Sequence, residues 1–166
     1  MAPSCAWNIA HSAVLGDFPA VVGNIQILVN KLINPNVKIQ MPNQAQSSNV
    51  QPKYDLEERT AVFGENVIEF VQSLPKNTVN NSLISQLVRS ATSIGANYME
   101  ADGAESKKDF RHKIGLCKKE SREAKHFFRM SAVAVPEMAD RARKLWLEAK
   151  ELNLIFNAIY KKLRKD

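Results

Sequence analysis

The sequence predicts an all-α protein, an antiparallel up-down four-helix bundle preceded by a poorly structured N-terminal extension. Three observations carry that expectation. Across residues 56–163, apolar residues recur at alternating steps of three and four in four separate stretches. A spacing near 3.5 puts all of these side chains on one seam of a helix, and four such seams are most simply buried against each other. The joints at 103–106 and 133–136 are short, which makes the last three helices antiparallel neighbours. Residues 1–53 lack the pattern altogether.

This first segment holds one acid, Asp17, and three lysines, Lys31, Lys38 and Lys53. Residues 20–33 are apolar enough for a short helix or strand. Residues 34–52 are mostly Asn, Gln, Ser and Pro, with prolines at 35, 42 and 52. Such a composition cannot bury enough surface to order itself and reads as a linker. The division is therefore an extension and linker over 1–53 and a bundle over 54–166.

Helix 1 is expected over about 55–74, with Leu56, Thr60, Phe63, Val67, Phe70 and Leu74 on its seam. Asp55 followed by Glu58 resembles a capping box, in which the carboxylate accepts from otherwise unpartnered amides. Pro75 ends the helix, and 77–81 reads as the connection. Helix 2, over 81–103, carries Ile84, Leu87, Ala91, Ile94, Tyr98 and Ala101. Helix 3, over 106–133, carries Phe110, Ile114, Cys117, Ser121, Ala124 and Phe128. Ser106 with Asp109 is a looser capping pair at its start. Helix 4, over 136–164, has the least interrupted seam: Met138, Ala142, Leu145, Ala149, Leu152, Phe156, Ile159 and Leu163. Pro136 falls in its first turn, where proline costs little. Val62, Ile68, Val88, Leu147 and Ile155 lie off the seams. Surplus apolar surface of this kind points to subunit contacts and a homo-oligomer.

Two cysteines, Cys5 and Cys117, form neither a disulfide framework nor a metal spacing, which fits a reducing cytoplasm. No apolar run approaches the roughly 20 residues that span a bilayer. The N-terminus lacks the basic start and continuous apolar core of a signal peptide.

Charge is the more informative property. The chain carries a formal +6. Between Lys107 and Arg129 stand nine Lys or Arg and three acids (Asp109, Glu120, Glu123), so this one helix accounts for a charge equal to the total. Arg111, Lys118 and Lys125 recur every seven residues. Lys108, Arg122 and Arg129 form an adjacent line, and Lys119 extends the set. At 1.5 Å per residue the run covers roughly 33 Å, enough to follow several phosphates of a nucleic acid by electrostatic, weakly sequence-specific contacts. The stripe has no regularly interleaved aromatics, which argues against base stacking on it. The plainer alternative is a solvated helix face.

Catalytic chemistry finds little support. A bundle di-iron site needs a Glu-x-x-His motif from each of two helices, and Glu123 with His126 supplies one. His112 and His126 share the outer line of helix 3 and extend the basic stripe. No glycine-rich phosphate loop is present. A polar group lies nearer the core: Ser121 on the helix 3 seam, Ser90 and Asn97 beside the helix 2 seam, and Arg89, Glu100 and Glu123 within reach. A buried polar cluster of this kind fixes register or a subunit contact more readily than it catalyses.

The stretch over 87–128, LVRSATSIGANYMEADGAESKKDFRHKIGLCKKESREAKHFF, together with YDLEERT (54–60) and the closing IYKKLRKD, resembles the four helix bundle protein family. That family includes proteins encoded in intervening sequences of bacterial large-subunit ribosomal RNA genes. The most specific parts are RSATSIGANYMEA, the serine-led start of helix 3 and SREAKHF. Arg89, Ser90, Ser93, Asn97, Glu100, Phe110, Ser121 and Glu123 match its recurring positions. The resemblance implies a ring-shaped homopentamer without established enzymatic activity. It also implies a distant likeness in fold to the accessory variability protein of diversity-generating retroelements, a basic pentamer that works with a reverse transcriptase and RNA. Residues 1–53 have no counterpart in the family pattern.

The expected function is thus a non-catalytic, oligomeric accessory bundle of the bacterial cytoplasm, binding RNA or DNA through helix 3 and needing no cofactor. A protein-protein adaptor is the alternative, and a metal-binding bundle a weaker one.

Overall fold

The structure is a computed structural model that describes residues 55–164. The expectations for residues 1–53 lie outside the described residues. Four helices follow one another: α1 (Leu56–Gln72), α2 (Thr78–Asp102), α3 (Lys107–Ala134) and α4 (Ala139–Lys162), with a single 3₁₀ turn (Pro136–Met138) leading into α4. No strand occurs among the described residues. The four helices pack against each other as an all-α bundle. α3 packs extensively on both α2 and α4, while α1 lies mainly on α2 and only lightly on α4.

The helix starts follow their capping chemistry. Asp55 Oδ1 accepts from the amides of Glu57 and Glu58 at 3.0 and 3.2 Å, satisfying donors that have no partner inside α1. Ser106 Oγ accepts from Asp109 N at 3.1 Å and starts α3. The expected start of α2 at residue 81 is three residues late. Asn77 is the cap, its Oδ1 accepting from Asn80 N at 2.8 Å. The Asn80 amide in turn donates to Pro75 O at 2.8 Å, which locks the corner. The α1–α2 connection is therefore 73–77 rather than 77–81. α1 also ends slightly early: Ser73 Oγ donates to Phe70 O at 2.6 Å and closes its last turn.

The seams form the core. All the expected seam residues of α1 and α3 are buried, as are Leu87, Ala91, Ile94 and Ala101 of α2. Along the fourth seam, Ala142, Ala149, Leu152, Phe156 and Ile159 of α4 and Leu163 just after it are buried, with Met138 and Leu145 packed against the core. Phe128 of α3 meets Phe63 at 6.3 Å between ring centres in an edge-on contact, and Phe70 at 5.9 Å. This trio ties α1 to α3 across the bundle. Cys117 is fully buried, with Sγ 3.6 Å from Ile94 O. Burial pushes its thiol up to about 12.

The off-seam apolar residues divide. Val62, Ile68 and Leu147 are exposed, at 40%, 39% and 46%. Ile155 is buried and Val88 packs on the core, contrary to their expected role as spare surface. A globular bundle buries a wider stripe than the strict two-position seam, and these two residues belong to that wider stripe.

Candidate nucleic-acid interface

The charges of α3 are sorted by the helices on either side. On the flank toward α2, Arg89 Nη1 donates to Glu120 Oε2 at 2.9 Å, and its other terminal nitrogen donates to Glu123. These bonds, that to Glu123 foremost, hold the Arg89 guanidinium above its ordinary range. Lys113 pairs with Glu100 on the same flank, and that bond likewise raises the Lys113 ammonium. Lys119 reaches Glu123 at 3.7 Å. Two of the three acids of α3 are thus consumed by α2 or by a neighbouring turn.

On the flank toward α4 the chemistry is different. Arg111 and Lys118 stand over the Tyr160 ring, 5.3 and 4.4 Å from its centre. Lys125 and Lys150 stand over Trp146, each 5.6 Å from its centre. Cations over aromatic faces are attracted by the ring quadrupole while keeping their charge. The Arg111 guanidinium beside the Tyr160 hydroxyl, with Lys118 and Arg164, lowers that phenol below its ordinary range. Between the two rings, Asn153 Nδ2 donates to Lys118 O at 2.8 Å and to Ser121 Oγ at 2.9 Å. This bond explains the polar residue on the α3 seam: Ser121 is fully buried yet satisfied from α4. Arg122, Arg129 and Lys108 project from the same side of α3 and are exposed.

The heptad row Arg111, Lys118, Lys125 therefore lies along the α3–α4 groove, facing the row Trp146, Asn153, Tyr160. The expectation that the stripe lacks aromatics needs correcting. α3 alone has none there, but α4 supplies two. Sequence reasoning confined to one helix missed them. Their signal was available in the matching seven-residue spacing of 146, 153 and 160 on α4.

The polar residues do not form one cluster. Arg89, Glu120 and Glu123 form an ion-paired node, and Glu100 belongs to a second pair with Lys113. Ser121 belongs to Asn153. Ser90 is buried and its hydroxyl donates to Gln86 O at 2.8 Å, within its own helix. Asn97 donates to Ser93 O at 2.7 Å, one turn back. Glu120, which the sequence reading left aside, is the buried member of the Arg89 node.

His126 is exposed and meets only the edge of Phe127, at 5.4 Å between ring centres among the described contacts. Among the described residues no three His, Cys, Asp or Glu side chains gather in a way that could hold a metal ion. No described helix is long and apolar enough to cross a membrane.

Comparison with solved structures finds a protein with unknown function from the S23 ribosomal protein family of Bacteroides thetaiotaomicron. It is 23% identical, with a TM-score of 0.57, and the match covers 64% of this chain and 99% of that one. At that identity the likeness speaks for the fold. A comparison with curated proteins finds no match. The family model described as 23S rRNA-intervening sequence protein matches residues 53–158, which takes in most of the bundle, the seams of α1, α2 and α3, that of α4 as far as Phe156, and the basic flank of α3. By that match the chain belongs to the 23S rRNA-intervening sequence protein family.

Proposed function

We propose that the protein is a non-catalytic, oligomeric accessory bundle that binds nucleic acid along the α3–α4 groove. The segregation of charge on α3 carries this reading. Glu120 and Glu123 are neutralised on the α2 flank. The cations on the α4 flank lie over aromatic rings or project into solvent. A stripe of cations without interspersed carboxylates is suited to a phosphate backbone, because each contact releases condensed counterions. The distant likeness in fold to the accessory variability protein, which works with RNA, favours RNA as the polyanion. The exposed Val62, Ile68 and Leu147 supply apolar surface for self-association. The resemblance noted above favours five subunits.

The test is a quadruple variant, Lys118→Ala, Arg122→Ala, Lys125→Ala and Arg129→Ala, compared with the parent for binding a labelled RNA between 50 and 300 mM salt. Each lost phosphate contact is expected to reduce the slope of log affinity against log salt by about one. A folded variant with unchanged oligomeric state and an unchanged slope overturns the proposal.

A further inference from the structure

At one end of the α3–α4 groove the surface becomes concave. Lys108, Arg111, His112, Gly115, Leu116 and Tyr160 line an open notch of about 380 Å³. Gly115 shapes it. A Cβ at this position would meet Tyr160 Cε2 at 3.2 Å, tighter than ordinary contact, so the missing side chain lets the ring lie against α3. The lining combines two unlike chemistries. Lys108, Arg111 and His112 are hydrogen-bond donors suited to phosphate oxygens. The Tyr160 ring, the Gly115 backbone and Leu116 form an apolar, partly aromatic wall. No carboxylate is among the lining residues. A bare phosphate has no use for the aromatic wall, and a duplex cannot bring a base edge-free into a notch beside its own backbone. A nucleotide with an unpaired base uses both halves.

We infer that this notch is a nucleotide subsite, in which the base of a single-stranded segment stacks on Tyr160 while Lys108, Arg111 and His112 hold its flanking phosphate. The inference rests on the groove being a nucleic-acid interface and deepens it. The preferred ligand is single-stranded, because a base enters only when unpaired. The base takes the place over the ring that the Lys118 ammonium and the Arg111 guanidinium now share, 4.4 and 5.3 Å from its centre. That ammonium then becomes free to meet the next phosphate. Stacking one base is worth at least as much as the two exposed cation–π contacts it replaces, and both cations gain a phosphate in the exchange.

The experiment uses the full chain and fluorescence anisotropy at 100 mM salt. The probes are labelled 15-nucleotide strands of mixed sequence, as RNA and as DNA, their duplexes, and a strand of equal length built from abasic units. The parent should bind single strands more tightly than duplexes. It should bind the abasic strand roughly 5- to 150-fold more weakly than the ordinary strand, the range for one stacked base. Tyr160→Leu, which keeps apolar volume, should bring the same loss for single strands and leave duplex binding and the salt slope unchanged. Gly115→Ala should act in the same direction more weakly. The RNA and DNA arms show which sugar is preferred, and either preference supports the subsite provided the abasic strand is the weaker ligand. If the abasic strand binds as well as the ordinary one while the quadruple charge variant has lost its salt slope, the subsite is refuted and the groove stands. If neither change matters, both are refuted. The abasic arm needs no substitution, so the outcome does not depend on Tyr160→Leu folding.

Discussion

Arg89→Met isolates the role of the ion-paired node between α2 and α3. Glu120 is 7% exposed, and its carboxylate has Arg89 Nη1 at 2.9 Å. Removing the guanidinium leaves that carboxylate in a protein-lined site without its cation. Stripping one partner from a fully buried pair costs roughly 3–5 kcal/mol, whereas an exposed pair contributes roughly 0–1 kcal/mol. The node lies between these limits, because the Arg89 side chain is 45% exposed and water follows where it leaves. The expected cost is about 2 kcal/mol. Glu123 adds little, since it is nearer the surface and still has Lys119 at 3.7 Å. The double variant Arg89→Met, Glu120→Met removes the stranded charge as well and should recover to within about 1 kcal/mol of the parent. Urea unfolding followed by circular dichroism, at one fixed protein concentration, measures both changes. Concentration must be fixed because an oligomer's apparent stability depends on it. Affinity for RNA should hardly change, since the node faces away from the groove. The reasoning is refuted if Arg89→Met costs less than about 0.5 kcal/mol, or if the double variant is as unstable as the two single changes added together.

Three further outcomes are expected. Phe128→Ala, which removes the ring that meets both Phe63 and Phe70, should cost roughly 3–5 kcal/mol in the same urea assay. Cys117 should make stability fall in alkali. Its thiol is raised to about 12 in the fold, so its contribution is complete below the unfolded value near 9 and is lost as pH rises above it. The stability advantage of the parent over Cys117→Ala should therefore shrink by about 1.4 kcal/mol between pH 8 and pH 10, and a constant difference would contradict the burial argument. Gly64→Ala should stabilise by about 0.5–1 kcal/mol, because a helical glycine costs entropy and a Cβ there would have nothing within 4 Å. Thermal melts that place this variant below the parent would show that another surface occupies the space.

The seams were legible in the sequence because a helix that buries one face must repeat its apolar residues at the helical period. Phe110 to Phe128 and Leu56 to Leu74 are buried as that period requires. The α1–α2 corner was misplaced because Asn77, Asn80 and Asn81 read as a polar connection. Which Asn caps a helix depends on a hydrogen bond, here to Asn80 N, rather than on composition. Ile155 was misread because the buried arc of α4 is broader than a two-position seam. The cations of the groove were visible on α3, but their surroundings were not. Whether a lysine pairs with an acid or lies over a ring depends on the neighbouring helix. Lys113 and Lys118, five residues apart, have opposite fates for that reason: one meets Glu100 of α2, the other Tyr160 of α4.

The light contact between α1 and α4 has a consequence for how the bundle opens. An open notch of about 490 Å³ lies between the two helices, and Arg59, Arg141 and Glu148 are among its lining residues. Ionic clasps bridge it. Arg59 Nη2 meets Glu148 Oε2 at 2.9 Å, while Arg141 meets Ser73 Oγ at 3.2 Å and Glu69 at 3.9 Å. The broadest packing is that of α3 on α2 and on α4. On that packing α1 is expected to open ahead of the other three helices. In amide hydrogen exchange the α1 protons should trade with solvent ahead of those in α3, and added salt should widen the gap by weakening the clasps. A transient departure of α1 uncovers Phe63, Phe70 and Phe128 together.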